Sequence, residues 1–381
     1  MKHAPSCLII AGEKSGEEHA LSFFDQLKKD CPDVDFYGVG GDDLKLRGVE
    51  LLYSLSDFSS WGISGVIGKI PFYKKAMRRL EEEVERRQTK VAILIDFQTF
   101  NMKLAKRLKE RGVKILYYVA PQAWAWKAYR TKALAQDTDV LFTILPFEKK
   151  WFSDRGVSQV TGAIHPLALR LRPNQSLKPR SYTREDEIKL LLLPGSRAFE
   201  VSSLLADFNQ AVSLLRAQGL KVKVGLVTSR SLDPLLYQSF SLKLDQSWSD
   251  EELEQALEWA DFSLAASGTV TLACALKEVP TIVSYRTSLL NEFIFFTFVN
   301  YEGAISLANI VHEEMVFPEL TQDHVSAYNL SRALLKWIDD TQELIKLKDK
   351  LAQTRDLLTG DIIPSHEVMA KIIRRAYEPA N

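Results

Sequence analysis

Cysteine is scarce: Cys7, Cys31 and Cys274 are the only three in 381 residues, odd in number and far apart. That excludes a disulfide framework and a paired-cysteine zinc knuckle, and it fits a reducing compartment. Net charge is absent as well, because 49 Lys plus Arg balance 49 Asp plus Glu. A broad basic surface for non-specific nucleic-acid binding is therefore excluded, and any anionic partner must be met locally. Long apolar runs are missing too. Residues 7–10 run straight into Gly12 and charged positions, too short for a secretory signal, and residues 289–299 are broken by Asn291 and Glu292, too short to span a bilayer. The expectation is a cytoplasmic chain without membrane-spanning helices. No Walker A motif occurs, and residues 38–41 lack the glycine spacing of a dinucleotide fingerprint, so ATP hydrolysis and NAD chemistry lose support.

What is present is the composition of a packed chain, 46% hydrophobic and 10% aromatic, long enough for two domains. Short apolar runs alternate with amphipathic segments, which predicts an α/β fold with parallel sheets covered on both faces. Strands are expected over 6–11, 34–39, 91–95, 113–119 and 140–145, with helices over 17–29, 74–87 and 102–110. The polar stretch 171–186, with Pro173 and Pro179, reads as a linker. A second set follows, with strands over 189–193, 221–227, 262–266 and 281–285 and helices over 201–217, 251–259 and 269–277, and three helical patterns close the chain. The expected division is two Rossmann-like domains, 1–170 and 187–360, with a terminal helical segment, 361–381, packing back on the first.

In open parallel sheets, ligands bind beyond the carboxyl ends of the strands. One predicted strand ends in Leu193-Pro194-Gly195-Ser196-Arg197, with Glu200 following. Gly195 permits close backbone approach, Ser196 suits a helix cap and Arg197 can fork onto a phosphate, although an ordinary capped turn has the same form. A second strand ends in Ser267-Gly268-Thr269, another hydroxyl-rich turn opening a helix. Two such turns on one sheet point to a nucleotide-diphosphate site. In the first domain, Gly12-Glu13-Lys14-Ser15-Gly16 ends the first strand, with Ser15 as the expected cap. Asp96 ends the apolar run 91–95, where it serves as a general base or as an acceptor for loop N–H groups. Tyr117, Tyr118, Trp124 and Trp126 crowd one strand end, as core or as a stacking wall, and His165 precedes the linker as a structural or a substrate-contacting residue.

Taken together, these motifs resemble the lipid-A-disaccharide synthase family. The matching pieces run in order from Ala11-Gly12-Glu13-Lys14-Ser15-Gly16 through Ile95-Asp96, Phe100-Asn101, Trp124-Ala125-Trp126-Lys127, Leu145-Pro146-Phe147-Glu148, His165-Pro166, Leu193-Pro194-Gly195-Ser196-Arg197, Ser267-Gly268-Thr269 and Tyr285-Arg286 to Pro318-Glu319-Leu320. The resemblance implies a GT-B arrangement, two Rossmann-like domains with a cleft between them. It also implies transfer of 2,3-diacylglucosamine from its UDP derivative to the 6-hydroxyl of 2,3-diacylglucosamine 1-phosphate, with inversion. Asp96 is then the expected base; Gly195, Ser196, Arg197, Ser267, Gly268, Thr269 and Asn309 hold the UDP-sugar; Glu13, Ser15, Gly16, Trp124 and His165 face the acceptor or cleft. Neither metal nor cofactor is expected, and a homodimer is left open. The chain departs from the family's usual pattern at Glu17, Gly65, Thr99, Ala273 and Ala308, and the glutamate replaced by Ala273 is the one expected to hold the ribose. Two alternatives stand beside this: a weakened relative that only binds nucleotide-sugar or lipid, and a nucleotide-sugar epimerase or transferase of other specificity.

Diacylated sugars must be reached at a membrane, on the inner face of the inner membrane under this resemblance. The candidate docking patch runs over 58–72, with Trp61, Val66, Ile67 and Ile70 as its anchors and Lys74, Lys75, Arg78 and Arg79 as a basic edge. The competing expectation is that these side chains pack the first domain's core.

Overall fold

The computed structural model describes residues 4–58, 70–124, 128–173, 181–240, 242–287, 303–360 and 362–378. The chain divides into two compact units, 1–166 with 359–381, and 167–358. The dividing point thus falls just after His165, and the chain's last segment belongs to the first unit.

Unit 1 carries seven parallel strands: β1 (Ser6–Ala11), β2 (Asp35–Gly40), β3 (Glu50–Ser54), β4 (Val91–Ile95), β5 (Lys114–Tyr118), β6 (Val140–Thr143) and β7 (Val160–Gly162), in the order β3-β2-β1-β4-β5-β6-β7. β1, β4 and most of β5 are apolar on both faces because helices cover both. On one face, Leu8, Ile10, Leu94 and Tyr117 pack with Leu80 and Leu104. On the other, Cys7, Ile9, Ile93 and Tyr118 pack with Phe23, Phe24 and Leu27. The helices that matter below are α1 (Lys14–Asp30), α2 (Asp42–Leu46), α3 (Ile70–Arg87), α4 (Gln98–Glu110) and α5 (Glu148–Ser153).

Unit 2 repeats the plan with β8 (Glu187–Leu193), β9 (Lys221–Thr228), β10 (Gln246–Ser249), β11 (Phe262–Ala266), β12 (Thr281–Tyr285) and β13 (Glu319–Thr321), ordered β10-β9-β8-β11-β12-β13 and again parallel. Its helices include α6 (Ala198–Ala217), α7 (Thr269–Leu276) and α8 (Leu307–His312). The last helix, α9 (Ser365–Tyr377), returns to unit 1, where Met369, Ala370 and Ile373 join the core beside α1. The Tyr377 hydroxyl donates to the Ser6 carbonyl at 2.6 Å and accepts from the Lys90 N–H at 2.8 Å, so α9 is latched to the roots of β1 and β4.

Both sheets reverse direction of strand order at one place, between β1 and β4 and between β8 and β11. Such a switch point parts the flanking loops and opens a crevice at the carboxyl edge.

The four sheet edges, β3, β7, β10 and β13, lie outside the strands expected from the sequence. They are short and only part-buried, so they carry no apolar run. Among the described residues no helix is long and apolar enough to cross a membrane.

Candidate active site

At the switch point of unit 2, β8 leads through Pro194 into Gly195, whose φ is 107°. A Cβ there would lie 2.3 Å from Glu200 Oε2, so only glycine admits the carboxylate. Glu200 Oε2 accepts the backbone N–H of Ser196 at 3.0 Å and of Arg197 at 3.2 Å, and Oε1 accepts the Arg197 guanidinium at 2.6 Å. This corrects the expected cap: Arg197, not Ser196, is the N-cap of α6, and Glu200 at the third helical position reaches back to its N–H. The two N–H groups thus already hold a carboxylate, while the Arg197 side chain stays 80% exposed.

The second turn is more open. The Ser267 N–H donates to the Ser284 carbonyl at 2.9 Å and its hydroxyl to the Ile305 carbonyl at 2.8 Å. Gly268 follows with φ 153° as the N-cap of α7, and a Cβ on it would meet nothing within 4 Å. The Thr271 hydroxyl closes the turn on the Gly268 carbonyl at 2.8 Å. The first N–H groups of α7 have no acceptor within their own helix, and they meet the positive end of its dipole, so this end attracts an anion.

Between the two turns lies a cavity of about 300 Å³. Gly195, Ser196, Arg197, Ser267, Gly268 and Thr269 all line it. So do Thr228, Ser229, Asp250 and Leu253, which the sequence reading did not single out. Their signal was the strand end after β9 and the Ser249-to-Glu252 capping box after β10, which reads as an ordinary helix start. Asn309 does not line the cavity. It is 1% exposed, its amide N–H groups go to the Phe317 carbonyl at 2.8 Å and Glu319 at 2.7 Å, and its oxygen accepts the Phe317 N–H. Glu319 also accepts the Ile305 and Ser306 N–H groups, so Asn309 shapes the segment on which Ser267 rests. Ala273 is wholly buried in α7.

The switch point of unit 1 is built differently. Asp96 and Phe97 end β4 with φ of 46° and 41°, and Val119 ends β5 with φ 67°. None is glycine, and such backbone costs about 1–3 kcal/mol per residue and persists only where its surroundings impose it. The imposing groups are identifiable. The Asp96 N–H donates to the Tyr118 carbonyl at 2.9 Å, and the Asp96 carbonyl accepts both the Tyr117 hydroxyl and the Asn101 amide at 3.0 Å. Asn101 also donates to the Ile95 carbonyl. The Phe97 ring fills the space beside Gly12, where a Cβ would lie 2.7 Å from it. Burial, and then the nearby Glu13 carboxylate, push the Asp96 carboxyl up to about 6. A carboxylate so placed is a stronger base than one in water.

Around Asp96, Glu13 is the N-cap of α1, which has no side-chain cap, so Ser15 is an exposed first-turn residue and not the expected cap. Gly16 is buried against the Ala11 and Ile95 backbone. Glu17 reaches the N–H groups of Gly41 at 2.8 Å and Leu44 at 3.1 Å and so caps α2, a structural use for its length. Trp124 donates its indole N–H to Glu148 at 2.9 Å and meets Phe147 edge-on. Glu148 is fully buried at the start of α5, accepts the Leu145 N–H and is pushed up to about 7 by that burial. His165 is buried with its ring centroid 6.4 Å from that of His19, and burial pushes them down to about 3 and about 4, leaving both neutral. Thr99 is exposed.

Of the docking patch, Trp61, Val66 and Ile67 lie outside the described residues, as does Gly65. Ile70 is 45% exposed at the start of α3. Phe58, by contrast, is core: it is 1% exposed and packs against Tyr53, Phe72, Tyr73, Phe97 and Phe100.

Solved structures share this architecture. The calicheamicin glycosyltransferase CalG4 matches with a TM-score of 0.59 and 14% identity over 99% of this chain and 98% of that one. A UDP-GlcNAc 2-epimerase from Neisseria meningitidis, bound to UDP-GlcNAc, matches at 0.57 and 10% over 97% and 99%. Paired doubly wound sheets of this kind define the GT-B class of glycosyltransferases. Within it the chain belongs to the lipid-A-disaccharide synthase family: a family model described as lipid-A-disaccharide synthetase matches residues 7–373. A lipid-A-disaccharide synthase from Myxococcus xanthus is 31% identical over 93% of this chain and 95% of its own. Lipid-A-disaccharide synthase 1 of Legionella pneumophila is 29% identical over 94% and 95%.

Proposed function

We infer that the protein transfers a 2,3-diacylglucosaminyl group from its UDP derivative to the 6-hydroxyl of 2,3-diacylglucosamine 1-phosphate. The observation that carries this reading is Asp96, a strained, desolvated carboxylate at the switch point of unit 1. It takes the proton of the acceptor hydroxyl as that oxygen bonds to the anomeric carbon. The bond from that carbon to the β-phosphate oxygen breaks on the opposite face, giving a β-linkage and UDP. Charge developing on the leaving diphosphate is met by the first turn of α7 and by Arg197, which line neighbouring parts of one cavity.

The same reading has the protein work at an anionic membrane surface. Lys74, Lys75, Arg78 and Arg79 are all exposed on α3, next to exposed Ile70. Each basic side chain near such a surface contributes about 1 kcal/mol. Replacing Trp61, Val66, Ile67 and Ile70 together by Ser should release the protein from anionic vesicles with folding intact; unchanged sedimentation would refute the patch.

Incubation of the purified chain with the UDP-diacylglucosamine donor and the monosaccharide 1-phosphate acceptor tests the reaction. Formation of the disaccharide 1-phosphate and one UDP per linkage is expected. UDP binding without product would leave a binding protein, and scrambling at C2 of the donor would make it an epimerase.

A further inference from the structure

The unit 2 cavity is asymmetric in its chemistry. Its lining comes from the ends of four adjacent strands, in the order β10, β9, β8, β11. The β11 end offers the first turn of α7, and the β8 end offers Arg197. Those two ends suit an anion. The opposite end, at β9 and β10, offers Thr228, Ser229, Leu253 and the carboxylate of Asp250. Glu200, the other acidic residue of the lining, has its oxygens occupied by Ser196 and Arg197, and so it is spent. Asp250 is not. It is exposed, it accepts the Ser229 hydroxyl at 3.2 Å, and among the described residues no Lys or Arg lies within 4.0 Å of it. Ser229 is itself held by Tyr237, which accepts the Ser229 N–H at 3.0 Å.

A negative charge at this end repels phosphate, so it must meet the neutral, donor-bearing part of a ligand. Which part is decided by distance. Neighbouring strands are about 4.8 Å apart, so the end of β10 is about 14 Å from that of β11. A nucleoside diphosphate with its phosphates on α7 places the sugar near the middle of that span and the base at its far end. Leu253 and Val227 supply apolar surface there for a flat ring.

Resting on the UDP-sugar reading above, we propose that Asp250 is the residue that selects the base, by accepting the ring N3–H of uracil. Cytosine carries an unprotonated N3 with a lone pair at the same position, which the carboxylate repels. Asp250 therefore discriminates uridine from cytidine nucleotides through one atom, favouring a ring N–H donor and rejecting a ring acceptor.

Calorimetric titration of the full chain with UDP, CDP and N3-methyl-UDP tests this, with wild type compared with Asp250→Asn and Asp250→Ala. Wild type should bind UDP about tenfold to a hundredfold more tightly than CDP or N3-methyl-UDP. Asp250→Ala should lose most of that margin by weakening UDP alone. Asp250→Asn should bring CDP up towards UDP, because its amide can donate to the cytosine N3. The side chain is exposed, so both variants should keep the wild-type melting temperature, which is recorded alongside. An unchanged UDP-to-CDP ratio in both variants would overturn the assignment of Asp250 while leaving UDP binding intact. If wild type binds neither nucleotide, the UDP-sugar reading itself falls, and this inference with it.

Discussion

The two switch points share a strand order and differ in who bears the unusual backbone. In unit 2, positive φ falls on Gly195 and Gly268, for which it costs little. In unit 1 it falls on Asp96, Phe97 and Val119, for which it is expensive. The proposed function reads this difference as a division of labour. Gly195 lets Glu200 close on the Ser196 and Arg197 N–H groups, while Gly268 leaves open space before the first turn of α7, an end that attracts an anion. In unit 1, Tyr117 and Asn101 hold the Asp96 backbone carbonyl and burial partly strips the carboxyl of water, the setting that the proposed reaction asks of its base. One topology therefore yields a binding end or a reactive end according to a few side chains at the strand termini.

The sharpest way to break this contrast is Asp96→Asn. Turnover should fall by roughly 10²- to 10⁴-fold with UDP affinity unchanged by calorimetry, since loss of a positioned base acts on the chemical step. In the unaltered protein, turnover should fall as pH drops through about 6, where Asp96 takes up a proton. Near-normal turnover in the variant would move the base elsewhere.

A second test concerns what supports the reactive end. Glu148 has its carboxyl raised from 4.5 to about 7 on folding, so the folded state favours its protonated form. Its stabilising effect is complete below pH 4.5 and is lost as pH rises towards 7, an effect on the order of 3 kcal/mol. Thermal melts between pH 4.5 and 7.5 should show Glu148→Gln gaining stability relative to wild type as pH rises, while the neutral His19 and His165 push the other way equally in both proteins. Parallel curves would exclude this effect of the buried carboxyl.

The remaining tests act on the binding end. Arg197→Ala should weaken UDP by about 1.5 to 3 kcal/mol if the guanidinium leaves Glu200 for the diphosphate. Equal affinities would show that the ion pair with Glu200 persists in the complex. Gly268→Ala should cost about 1 kcal/mol of stability and weaken UDP, because its backbone lies in a region that side chains disfavour. A variant as stable as wild type would mean the turn relaxes without loss.

How much of this was legible beforehand follows physical lines. Central strands announce themselves as apolar runs because both faces are covered, and β1, β4, β8 and β11 were each readable for that reason. The edge strands were not, since Glu50–Ser54 or Gln246–Ser249 need only pair on one side. Gly195, Arg197, Gly268 and Asp96 could be named from the sequence because a strand end followed by a helix start predicts where a ligand site opens. Caps were misjudged: Ser15 and Ser196 have the right chemistry, yet the chain turns into helix at Glu13 and Arg197. Asn309 carries a motif-like amide, but it is spent on Phe317 and Glu319, a fact that depends on long-range packing. Asp250 was invisible because it resembles the first residue of any acidic helix start.

The return of α9 to unit 1 has a consequence for the order in which the protein can be made. The core beside α1 needs Met369, Ala370 and Ile373, and β1 and β4 need the Tyr377 hydroxyl to finish their pairing at the root. All of unit 2 is encoded before those residues. During synthesis, unit 2 can thus complete its fold while unit 1 still lacks part of the cover on the α1 face of its sheet. The first half to begin emerging is the last to close, and a chain that stops short of residue 365 would present a finished unit 2 on an unfinished unit 1.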